Sequence, residues 1–124
     1  MIKNILLIFI ILILIDLIWL YLIKDKYTEQ IVKIQNQELI VNYSSAVIVY
    51  ILLAIGIYYL TLNEKDTMTK IKMSALIGLV TYGVYDFTNG AIFKNWDFKL
   101  AIMDTIWGSI LCASTMYVYS KLII

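Results

Sequence analysis

Hydrophobic residues run in four long blocks, Ile5–Ile23, Ala46–Leu62, Met73–Phe93 and Leu100–Ser120, with short polar stretches between them. A helix needs ~20 mainly apolar residues to cross a bilayer, and ~17 is near the lower limit. Each block meets that length. The pattern predicts an all-α polytopic membrane protein, a bundle of four transmembrane helices forming a single domain over residues 1–124. The first block has Lys3 ahead of it and no small-residue cleavage site behind it, and it outruns a signal-peptide core, so it reads as a retained span. Four spans put both termini on one side, here side A, and the connections Lys24–Ser45 and Lys94–Lys99 on the other, side B. Within the first connection Tyr27, Ile31 and Ile34 recur at helical spacing, with Lys33, Gln35 and Glu38 off that stripe. This fits either a short helix lying on the membrane surface or a plain polar loop.

Composition supports the membrane reading, since 62% of the 124 residues are hydrophobic against about half in a soluble domain. Arginine, histidine and proline are absent, and the net charge of +1 leaves no footprint for nucleic acid. The expected surroundings are the lipid bilayer, with a homodimer or a partner membrane protein as candidate company; which membrane is not specified. A single cysteine, Cys112, rules out an internal disulfide and reads as a small packing residue. Five lysines fall on each side, so the positive-inside rule has little to act on. Side A lysines sit close to span ends, which leans towards side A inside.

Three aspartates lie inside the blocks. Asp16 and Asp86 each stand seven residues before the side B end of their spans, and Asp104 stands four residues after its span begins. At ~1.5 Å rise per residue all three fall roughly 6–10 Å below the side B boundary. Each has polar company one turn away: Asp16 with Trp19 in DLIW, Asp104 with Trp107 in DTIWG, and Asp86 with Tyr82 and Asn89 around YDFTNG. Tyr85 stacks over Asn89, and Thr88, Thr105 and Ser109 add hydroxyls. No lysine falls well inside a span. An ionised carboxylate in hydrocarbon is costly, so the acids must be protonated donors, hold a cation, or be reached by water. The repeated D-x-x-W suggests an inverted repeat, but an axis at the bilayer midplane would place Asp16 and Asp104 at opposite depths. The repetition then reads as two helices donating similar groups to one site, or as coincidence. Ser74 with Gly78 and Ser109 with Ala113 allow close helix packing, and the third span, with three of the five glycines, reads as central.

The runs DLIWL, YDFTNGAIFKNW and DTIWG resemble a family of small four-span membrane proteins, number 2177 among the domains of unknown function. The resemblance covers nearly the whole chain, with weaker matching from Lys24 to Lys72. By position it implies that the recurrent residues are Asp16, Trp19, Tyr85, Asp86, Thr88, Asn89, Trp96, Asp104, Trp107 and Gly108. Where the family often has proline after the tryptophan, this chain has Asp97. No established activity comes with the family.

The candidate ligand- or ion-binding residues are therefore Asp16, Trp19, Tyr85, Asp86, Thr88, Asn89, Asp104 and Trp107. An acid beside aromatic faces suits a cation, which favours a small cation- or proton-coupled transporter or an ion-binding protein. A structural or accessory subunit, its acids paired with a partner's basic residue, is the alternative. An embedded enzyme ranks lower, because no sequence feature names a reaction, a catalytic residue or a cofactor. Oxygen ligands from Asp16, Asp86, Asn89 and Asp104 would suit magnesium or calcium, although no metal site is specified.

Overall fold

A computed structural model describes residues 1–123. It contains four helices, α1 (Ile2–Gln35), α2 (Tyr43–Thr61), α3 (Thr67–Ile92) and α4 (Phe98–Leu122), and no strand among the described residues. Three helices start at side-chain caps. Asn42 accepts from the Ser45 amide, Asp66 from the Thr69 amide, and Asp97 from the amides of Lys99 and Leu100. Such caps satisfy amides that the first turn leaves without intrahelical partners.

The first helix is longer than the apolar pattern suggests. It runs unbroken for 34 residues and ends at Asn36, whose φ of 57° is the left-handed conformation common just past a helix end. Residues 24–35 are thus neither a separate surface helix nor a loop. They contain no glycine or proline and several strong helix formers, so nothing local stops the helix at the end of the apolar block. The extension projects ~18 Å beyond that block at ~1.5 Å per residue.

Helices α1, α2 and α4 are each long and apolar enough to cross a membrane. Large apolar side chains such as Leu14, Leu17, Ile48, Leu52, Ile102 and Ile106 point outward. Helices that are apolar around their whole circumference belong in lipid. The third helix has 26 residues, length enough to span, but its threonines, tyrosines, Asp86 and Asn89 make it less apolar than the rest. The protein is a multi-pass integral membrane protein.

Neighbouring helices run in opposite directions. Tyr59, near the end of α2, meets Met1 at the start of α1. Gly83 lies against Thr105 and Gly90 against Phe98, which sets α3 antiparallel to α4. Around the bundle α1 lies between α2 and α4, and α3 packs chiefly along α4 with a smaller contact to α2. The helix that buries the most residues is α4 rather than α3, although each touches two neighbours. One end of the bundle is filled by apolar side chains, Ile8, Leu12, Leu53, Ile57, Leu111 and Met116 among them. The other end holds the polar residues.

Glycine sets the spacing of α3 and α4. A Cβ on Gly78 would run into the backbone carbonyl of Gly108, and one on Gly108 would run into the Tyr82 ring. Gly78→Val is therefore expected to force the helices apart and to cost about 1–3 kcal/mol, the usual range for overpacking. Reversible unfolding in mixed detergent measures this, with Gly56→Val as control because nothing lies near a Cβ there. Equal stability of the two variants would contradict this close approach.

Candidate functional site

Two D-x-x-W segments on antiparallel helices meet face to face. The Trp107 Nε1–H donates to Asp16 Oδ1 at 2.8 Å, and the Trp19 Nε1–H donates to Asp104 Oδ1 at 2.9 Å. The two indoles stack between these bonds with centroids 5.4 Å apart and planes 13° from parallel. Each helix thus supplies an acid to the other's tryptophan. The arrangement has a local two-fold relation, its axis across the helices between the levels of the two bonds.

This relation changes the sequence-based reading of depth. In antiparallel helices Asp16 is level with Trp107 and Asp104 with Trp19, so Asp16 lies about one turn, ~4.5 Å, deeper than Asp104. A symmetry axis at the bilayer midplane does not describe the repeat. An axis displaced towards the α3–α4 connection does.

The outer helices add one group to each acid. On α2, the Tyr50 hydroxyl donates to Asp16 Oδ2 in a short hydrogen bond. Asp16 is 4% exposed, and both of its carboxyl oxygens have donors. On α3, Asp86 places its carboxyl beside that of Asp104 and the hydroxyl of Thr105. Asp86 is 2% exposed, and its Oδ2 has no hydrogen-bond partner. Tyr82 packs against Gly108 beneath this layer. Among the described residues no three acid, histidine or cysteine side chains converge to hold a metal ion. The set Asp16, Asp86, Asn89 and Asp104 is therefore not gathered into one metal site: Asp16 is occupied by Trp107 and Tyr50, while Asp86 and Asp104 form a separate pair.

Beyond the pair lies an aromatic layer. The Tyr85 and Tyr27 hydroxyls hydrogen-bond to each other, linking α3 to the extension of α1. Both rings stand edge-on to Trp96, at 6.3 Å and 6.4 Å between centroids, and Phe93 packs on the same indole at 6.1 Å. Trp96 is buried, although it stands in the short connection between α3 and α4. The turn that inserts it passes through Asn95, whose φ is 67°. Asparagine tolerates this left-handed conformation better than most residues. Gln30 Oε1 accepts from the backbone N–H of Asp97, which ties the α1 extension to the α3–α4 connection. Asp97 thus caps α4 with its side chain and holds Gln30 with its amide. Proline at this position could do neither.

Of the eight candidates, the structure brings Asp16, Trp19, Asp104, Trp107 and Asp86 together. Tyr85 and Asn89 touch each other in the outer layer. Thr88 is exposed and stands apart. Tyr50, Tyr27 and Gln30 were not among the candidates. Tyr50 carries a signal in retrospect: a phenol inside an apolar helix needs a hydrogen-bond partner.

A family model described as "Predicted membrane protein (DUF2177)" covers residues 1–119. No curated protein matches the chain, and no solved structure matches it.

Proposed function

The chain belongs to this family of predicted membrane proteins, and from that premise we propose that it binds and releases a proton, or one small cation, at the Asp86–Asp104 pair. This is the chemistry of a small cation- or proton-coupled transporter. On this reading α3 is the fourth span, both termini lie on the same side, and the pair opens towards the opposite side.

One observation carries the reading. Asp86 is buried, its Oδ2 has no partner in the protein, and it faces another carboxyl with no cationic side chain among the spans. The local two-fold relation sharpens it. Asp16 receives one indole N–H and one hydroxyl, from Trp107 and Tyr50. Asp104 receives one indole N–H, from Trp19. The place that Tyr50 takes beside Asp16 is taken beside Asp104 by Asp86. Asp86 can act as a donor there only when it holds a proton. If both acids were ionised, two like charges would share one site, and such pairs bind a proton or a cation between them. A pair with no third acidic ligand favours a proton or a monovalent ion over magnesium or calcium, which take six or more oxygens.

The alternative, a partner's basic residue neutralising the acids, fits Asp86 poorly because its carboxyl is enclosed. Difference infrared spectroscopy of the protein in bilayers tests the proposal without a guess at the substrate. A protonated-carboxyl band is expected that disappears reversibly as the pH is raised, is absent from Asp86→Asn, and survives in Tyr50→Phe. A wild-type protein in which no embedded carboxyl band responds to pH or to added cations overturns it.

A further inference from the structure

We propose that the hydroxyl pair of Tyr27 and Tyr85, braced on Trp96, is a latch that closes the route between the Asp86–Asp104 pair and the aqueous side at the α3–α4 connection. The inference rests on the proton-binding reading of that pair and adds how access to it is controlled.

Three separate features converge on it. First, among the described residues the latch is the side-chain hydrogen bond that joins the α1 extension, through Tyr27, to α3, through Tyr85. Second, it lies beside the acid pair, where the α1 extension carries Tyr27 past the end of the apolar block. Tyr85 directly precedes Asp86, and the Tyr27 hydroxyl is within electrostatic reach of both Asp86 and Asp104. Tyr85 is nearly half exposed while Asp86 is enclosed. Third, both rings rest edge-on against Trp96, which is 6% exposed and whose Nε1–H has no partner. A buried indole donor left unpaired is costly, so this closed packing has a competitor in any arrangement that gives the indole an acceptor.

The α1 extension is suited to move as one piece. It is a continuous helix, and among the described residues side-chain hydrogen bonds tie it to the neighbouring helices and their connection only at Tyr27 and Gln30. The Gln30 bond goes to a backbone amide of the α3–α4 connection and can persist as a hinge while the tyrosine pair parts. Burial, followed by the adjoining Tyr85 hydroxyl, pushes Tyr27 further up from its ordinary phenol range. Tyr27 therefore stays a neutral hydroxyl, able to donate and accept.

The test reads the accessibility of Asp86 in bilayers with two carbodiimides, one lipophilic and one charged and water-soluble. A carbodiimide reacts with a protonated carboxyl: the acid oxygen bonds to the central carbon, the acid proton moves to a nitrogen, and rearrangement leaves a stable acylurea. Peptide mass spectrometry follows that adduct on Asp86. In the wild type the lipophilic reagent is expected to label Asp86 and the water-soluble one to label it slowly. Tyr27→Phe and Tyr85→Phe each keep the ring on Trp96 and remove one hydroxyl. Each is expected to raise the water-soluble rate roughly 3- to 10-fold, the worth of one hydrogen bond, while Tyr21→Phe, on an exposed tyrosine of the same helix, leaves it unchanged. If lipophilic labelling persists but neither variant changes the water-soluble rate, the latch is overturned and the proton-binding reading stands. If neither reagent labels Asp86 in any variant, removing a latch hydroxyl opens no route to the acid and the latch is overturned, while the infrared titration decides the proton-binding reading separately.

Discussion

Asp16→Ala is expected to be the most destabilising single change in the polar layer, lowering stability by about 3 kcal/mol. The carboxyl accepts from Trp107 and Tyr50, on two different helices. Its removal leaves two buried donors, the Trp107 indole and the Tyr50 hydroxyl, without the acceptor they share. Interhelical hydrogen bonds in bilayers average ~0.6 kcal/mol and reach ~1.7 in double-mutant cycles. The upper value applies here, because Asp16 is 4% exposed and both of its carboxyl oxygens are bonded. Two such bonds give ~3 kcal/mol, more than a hundredfold in the folded ratio, since ~1.4 kcal/mol is tenfold. Controlled unfolding in mixed detergents measures it. Tyr50→Phe removes one donor cleanly and should cost about half as much. An Asp16/Trp107 double-mutant cycle should return a coupling of about 1 kcal/mol or more. A cost below ~0.5 kcal/mol for Asp16→Ala would mean that the interlocked D-x-x-W segments are not what holds α1 to α4.

The chemistry of this layer was legible in the sequence, while its pairing was not. Aspartates inside apolar blocks stand out because of their cost, and the one-turn spacing to tryptophan follows from helix geometry. Which indole meets which acid depends on the relative height of α1 and α4, and no local pattern encodes that. The repeat Asp16–Trp19 and Asp104–Trp107 could have supplied it. In an antiparallel pair, acid and donor at equal spacing satisfy each other only in the crossed arrangement, and this fixes the register. The midplane axis imposed on the repeat concealed that solution. Tyr50 was missed because a lone tyrosine in α2 has no sequence neighbour to signal its partner on α1. The α1 extension was misread for a different reason. Hydropathy marks where lipid ends, not where a helix ends, and Lys24–Gln35 carries no stop signal until Asn36. Trp96 stands in a short connection, and no local pattern announces the left-handed turn at Asn95 that precedes its burial.

Asp86→Asn is expected to give the opposite result to Asp16→Ala, with function lost and the fold kept. The two acids are similarly buried, so burial alone does not separate them. Their partners do. Asp86 Oδ2 has no partner to lose, and an asparagine amide can donate to Asp104 as the protonated acid would. Stability should stay within ~0.5 kcal/mol of the wild type. Asp86→Leu could even raise it, because replacing an uncompensated buried polar group by an apolar one of similar size is often neutral or favourable. The asparagine, however, neither gains nor releases a proton. Proteoliposomes under an imposed pH gradient, with an internal dye as readout, should show proton movement with wild-type protein and none above the protein-free rate with Asp86→Asn. A positional role for Asp86 predicts a different outcome: Asn, which keeps the shape and a donor, would then retain activity, and Leu would lose both activity and stability. Retention of full proton movement by Asp86→Asn would remove Asp86 from the function and leave it as a clasp between α3 and α4. The pairing of a stability loss at Asp16 with an activity loss at Asp86 would divide three similar residues by role: Asp16 holds the helices, Asp86 carries the exchangeable proton, and Asp104, bonded to Trp19 and facing Asp86, joins the two.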